Sequence, residues 1–304
     1  MMTDTALPAR RLVWANALCL LSMLVWAAGL PAIQHMLAFV PPIPLSAMRT
    51  GISGVILVLL WIMLEGPSVV RRAPWGRGLG VGFVAMGLSA TMIAMALQLT
   101  DAVTVAIITA LMPVAGIALE CVLDGRRLTA VLVAGMGLSV VGGIIALGGA
   151  VGGPSLGLGA LLTLGSVLAF TWGSRASVKS FPGMSGLGQS AVTVMGAGIT
   201  MTLVAVIHAW TGGPAIDWGG IGLTEVGALA MASVGAIALS QTLWIIAVGH
   251  LGIGISSLHS NATPFYVMLI AFMLGAAWSW PQAFGAAVVA LGVMVAQGVI
   301  RKFW

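Results

Sequence analysis

Residues 256–264 read SSLHSNATP inside an otherwise apolar stretch, 245–274. They gather the hydroxyls of Ser256, Ser260 and Thr263, the amide of Asn261 and the imidazole of His259. Histidine changes charge near neutral pH, so His259 is a candidate proton relay; the bland alternative is a hydrogen-bonded structural histidine. At helical spacing Ser256, His259 and Thr263 form one stripe, and Ser257, Ser260 and Asn261 an adjacent one. Pro264 has no N–H to give and frees a backbone carbonyl near residue 260. A lipid-facing helix does not tolerate such a set, because hydrocarbon satisfies no polar group. Two uses remain: lining a wet solute site, or polar packing between helices with a proline kink.

Other residues extend the same choice. Trp26, Trp172, Trp244 and Gln241 suit an aromatic-walled cavity for amphipathic solutes, and equally suit core packing. Arg49 could hold a substrate carboxylate or a carbonyl of a neighbouring helix; as a gating or structural residue it is grouped with Pro31, Pro113 and Pro264, whose role is to kink helices. The acidic residues all fall in tails, loops or helix ends, leaving no carboxylate near mid-membrane to serve an exporter of organic cations. Cys19 and Cys121 have no metal or disulfide spacing, so no metal and no cofactor is expected. Paired mid-membrane aspartates, a serine nucleophile in a glycine turn and a zinc helix are all missing, which argues against an enzyme.

The elements that must position these residues follow from composition. The chain has 304 residues, 60% hydrophobic and only 6% charged, with 42 glycines. Its mean hydropathy is +1.13. Soluble domains are about one quarter charged, so this is an all-α integral membrane protein. A bilayer core takes about 20 apolar residues per helix. Cutting at Pro/Gly and charge clusters predicts ten transmembrane helices: 12–37, 43–64, 78–98, 101–120, 128–148, 156–178, 185–210, 221–248, 251–274 and 281–300. With the N-terminus inside, every lysine and arginine except Arg49 falls on the cytoplasmic side. The basic balance therefore sets orientation, with no nucleic acid partner, and places both termini in the cytoplasm.

A shift of about 150 residues overlays AGMGLSVVGGIIALGG (134–149) on FGAAVVALGVMVAQGV (284–299). Pro113 then meets Pro264, and Trp26 roughly meets Trp172. Two five-helix repeats, 12–148 and 156–300, follow. Five is odd, so the second repeat enters the membrane from the opposite face, making the repeats inverted as in many secondary transporters.

LVWAAGLPA in the first helix, PPIPLSAMRTG ahead of the second, and the prolines of ALMPVAGIAL and NATPFYVML resemble the EamA-type permeases of the drug/metabolite transporter superfamily. The likeness covers almost the whole chain. It departs where that family carries Gly-Glu before its fifth and tenth helices: LDGRRL and LGAAWSW stand here instead. The resemblance implies a multi-pass permease of the cell inner membrane, monomer or homodimer, with a cavity lined by helices 1, 3, 4, 6, 8 and 9. The resemblance does not identify the solute; the aromatic residues point to small metabolites such as amino acids, carried by an exporter with protons as a possible coupling ion. Alternatives are a permease for drugs or other metabolites, and a non-transporting receptor or assembly protein.

Overall fold

The computed structural model describes residues 9–124, 129–148 and 154–296. Arg126, Arg127, Arg301 and Lys302, on which part of the orientation rests, lie outside the described residues, as does Gly298 of the repeat. Among the described residues the chain is helical, with no strand. We label α1 Ala9–Met36, α2 Pro42–Glu65, α3 Trp75–Leu99, α4 Ala102–Leu123 and α5 Ala130–Gly148. The second part holds α6 Pro154–Ser180, α7 Gly186–Trp210, α8 Leu223–Leu251, α9 Thr263–Met273 and α10 Trp280–Ala296. Among the described residues, seven of these are long and apolar enough to cross a membrane: α1 (from Val13), α2, α3, α4, α6 (from Gly157), α7 and α8. The chain is a multi-pass membrane protein.

Local chemistry sets several boundaries. Pro42 opens α2, where its missing N–H costs nothing. Asp101 caps α4, its carboxylate accepting from the Thr104 N–H at 2.9 Å and hydroxyl at 2.7 Å. Ser185 caps α7 by accepting from the Gly188 N–H at 3.0 Å. Gly275, at φ 95°, carries the chain out of α9 through a conformation other residues avoid.

The helices are not uniform. Phe83–Leu88 in α3 and Met231–Leu239 in α8 are π-helical. The α4 helix breaks between Thr109 and Met112, and Pro113 is the second residue after the break. Helical hydrogen bonding runs on past Leu251 to Ser256, so the boundary predicted between 248 and 251 does not appear as a break. The irregularity falls instead at Ser257–Ala262, a 3₁₀ stretch, with Pro264 the second residue of α9. The proline ring and its missing N–H disfavour α geometry in the preceding turn, which accounts for the displaced break.

The most extensive helix contacts are α5 with α10, α1 with α8 and α2 with α7; α3 packs on α6. Lipid tails are as apolar as leucine, so these seams depend on close approach and hydrogen bonds. A β-carbon on Gly82 would overlap the Thr193 carbonyl, one on Gly142 would overlap Val289, and one on Gly292 would overlap Ser139. At one end of the α1–α8 seam, His35 Nε2 stands 3.0 Å from Glu225 Oε1.

Gly80 offers a control, since a β-carbon there meets nothing. Gly82→Ala is expected to lose about 1–3 kcal/mol through overpacking. Gly80→Ala should be neutral or gain up to about 1 kcal/mol of helix propensity. Thermal unfolding of the two variants in detergent checks this; equal midpoints would contradict backbone contact at the α3–α7 seam.

Candidate functional site

The seams leave a narrow cavity of about 80 Å³ free volume between the two parts of the chain. It is lined from α1, α2, α3, α4, α6, α8 and the segment around Ser260. Six of the residues singled out in the sequence share it: Trp26, Arg49, Gln241, Trp244, Ser260 and Thr263. Its wall is mainly apolar, with Leu30, Ile93 and Met86 among the lining side chains. Among the described residues no Asp or Glu lines it.

Three of those six carry buried polar atoms with no hydrogen-bond partner: Arg49 Nη1, Trp244 Nε1 and Thr263 Oγ1. Arg49 is 4% exposed. Its Nε–H donates to the Ala232 carbonyl at 3.1 Å, at the start of the π-helical stretch of α8. One turn along α2, Ser53 donates to the next carbonyl, Ser233, at 2.9 Å. Trp244 is 1% exposed and lies 6.5 Å, centroid to centroid, from the Phe170 ring.

The remaining candidates lie elsewhere. Ser256 is buried, His259 and Asn261 are partly buried, and none of the three lines the cavity. His259 Nδ1 sits 3.1 Å from the Ser256 carbonyl oxygen. In 3₁₀ geometry residues three apart eclipse, so the stripes drawn at α spacing no longer hold here. Ser260 accordingly donates to the Ser257 carbonyl at 2.7 Å. Trp172 is partly buried outside the cavity. Pro113 and Pro264 are buried beside their helix breaks. Pro31 lines a separate recess of about 380 Å³ with Gln34, Asp101 and Gln282.

Four lining serines were not singled out in the sequence. Ser22 of α1 donates to the Ser240 carbonyl at 2.9 Å, and the two hydroxyls are 3.2 Å apart. Ser166 of α6 donates to the Ser89 carbonyl of α3 at 3.0 Å, with the hydroxyls 2.8 Å apart. Glycine contacts repeat the pairing: Gly29 faces Ala236, and Gly173 faces Ala85. A common Ser-to-Gly spacing, SMLVWAAG (22–29) against SVLAFTWG (166–173), was the available signal. In this register the counterpart of Trp26 is Phe170, which lines the cavity, whereas Trp172 does not.

Known proteins add two findings. Residues 13–148 match the EamA-like transporter family. A crystal structure of a protein 23% identical in sequence superposes with a TM-score of 0.71, over 96% of this chain and 99% of that one. At that identity the likeness is one of fold. No curated protein matches.

Ser22→Ala removes both bonds of its pair, whereas Ser240→Ala leaves the carbonyl as acceptor. The expected order of destabilisation is Ser22→Ala above Ser240→Ala, with a coupling energy of about 0.6 kcal/mol. A double-mutant cycle on reversible unfolding in mixed micelles measures it; zero coupling would contradict the hydroxyl–hydroxyl contact, and equal single-mutant losses would contradict the bond to the carbonyl.

Proposed function

We propose that this chain, whose residues 13–148 match the EamA-like transporter family, is a secondary transporter of small metabolites such as amino acids. It works by alternating access between two inverted five-helix halves, 12–148 and 156–300, with ten membrane spans. The observation that carries this reading is the matched lining of one cavity. Ser22 on Ser240 and Ser166 on Ser89 are equivalent contacts, contributed by α1–α8 and α6–α3. The π-helical stretches of α3 and α8 and the proline-bordered irregularities before Met112 and Thr263 supply further equivalent features. In an inverted repeat α2 and α7 are counterparts, as are α5 and α10, and counterparts meet at the pseudo-two-fold axis. Both pairs are among those with the most extensive contacts.

Export across the cell inner membrane is the proposed direction; the placement of the basic residues supports cytoplasmic termini, and the family likeness supports a membrane permease. The lack of a lining carboxylate among the described residues disfavours organic cations as cargo. If protons are coupled, His259 would act from the wall of the 3₁₀ segment and not from the cavity itself.

Counterflow in proteoliposomes tests the proposal, using a panel of labelled amino acids with and without a pH gradient. Saturable exchange of at least one member is expected. No exchange by any member would remove the amino-acid assignment. A pH dependence abolished in His259→Gln identifies that residue as the coupling group, and an unchanged dependence excludes it.

A further inference from the structure

Arg49 is a charged group that the fold only half satisfies. A guanidinium carries five N–H donors in a rigid plane. The Nε–H is spent on the Ala232 carbonyl, while Nη1 is buried, without a partner, on a residue that lines the cavity. Among the described residues no carboxylate pairs with Arg49. Burying an uncompensated charge at membrane depth is costly, so such groups pair or serve a ligand. Packing between helices explains the Nε bond. It does not explain a second buried donor left empty, because Ser53 already makes the neighbouring link from α2 to α8.

We propose that Arg49 is the carboxylate-binding subsite of this cavity, and that the cargo is a small organic molecule with one carboxylate, an amino acid included, docked on the free edge of the guanidinium. This rests on the transporter reading above and names its substrate class. A carboxylate matches the planar fork and makes charge-assisted bonds. Among the described residues the lining holds one cationic side chain, so one negative charge is neutralised and a second would be left bare. Trp26, Leu30 and Ile93 supply apolar cover for an organic body. Trp244 Nε1–H and the Thr263 hydroxyl are further buried groups with no protein partner, available to a polar substituent. An amine without a carboxylate meets the opposite situation: a like charge at Arg49 and no carboxylate among the described lining residues.

The test is binding, kept separate from transport. Radiolabelled phenylacetate is measured on the full chain in nanodiscs by scintillation proximity. Unlabelled phenylacetate and phenethylamine, which differ in the charged end on a similar apolar body, are the competitors. Saturable binding displaced by phenylacetate but not by phenethylamine is expected. Arg49→Gln should weaken it about tenfold or more, Arg49→Lys should retain part of it, and Ser53→Ala, which perturbs the same helix seam, should leave it unchanged. Should Arg49→Gln fail to elute as a single species, competitor selectivity and the lysine variant decide. Absent saturable binding, equal displacement by the amine, or undiminished binding in Arg49→Gln would each overturn the subsite. Anion-selective binding without counterflow would remove the transporter reading and leave the subsite. Amino-acid exchange indifferent to Arg49 would do the reverse.

Discussion

Helices surrounded by lipid gain nothing from hiding leucine against leucine. Contact has to come from backbones that touch and from hydroxyls that reach a carbonyl. Here Gly82, Gly142 and Gly292 remove the side chain where a neighbouring backbone passes. Ser22, Ser53 and Ser166 donate across to α8 and α3. Each bond is worth only about 0.6 kcal/mol, so the seams hold through repetition along the helix. Ser22, Ser89, Ser166 and Ser240 also line the cavity. The groups that join the helices are thus the groups a solute would meet.

Departures from regular helix cluster around the same space. The π-helical stretches, the gap before Met112 and the 3₁₀ turn before Thr263 all belong to helices that wall the cavity. Such irregular turns are frequent at functional sites, since they release backbone groups and allow an element to bend. Arg49 and Ser53 take up carbonyls at the start of one of them, Ala232 and Ser233. The unpartnered groups Arg49 Nη1, Trp244 Nε1 and Thr263 Oγ1 give the cavity its chemical character: apolar walls with a few buried donors and no acid among the described residues.

Much of this was legible from residue types. A chain with 6% charge declares its membrane helices, and an arginine, a glutamine and tryptophans inside apolar runs stand out as cavity candidates. Trp26, Arg49, Gln241, Trp244, Ser260 and Thr263 do share one cavity. What could not be read was local geometry. The stripe through Ser256 and His259 assumed 3.6 residues per turn, whereas Pro264 imposes a tighter turn on the segment before it. A two-residue slip of register matched Trp26 with Trp172 where the contacts match it with Phe170. The serines escaped notice because a lone serine in a membrane helix says little; only its partner across the seam reveals it.

Alternating access is tested most directly by a single cysteine in the cavity wall, Gln241→Cys, with Cys19 and Cys121 replaced by alanine. A membrane-impermeant thiosulfonate is applied to right-side-out vesicles and, separately, to inside-out vesicles. Alternating access predicts labelling of that cysteine from either face, with no leak of the reagent to the opposite compartment. Labelling in only one of the two preparations would contradict it, and a reagent that crosses while it labels would indicate an open channel.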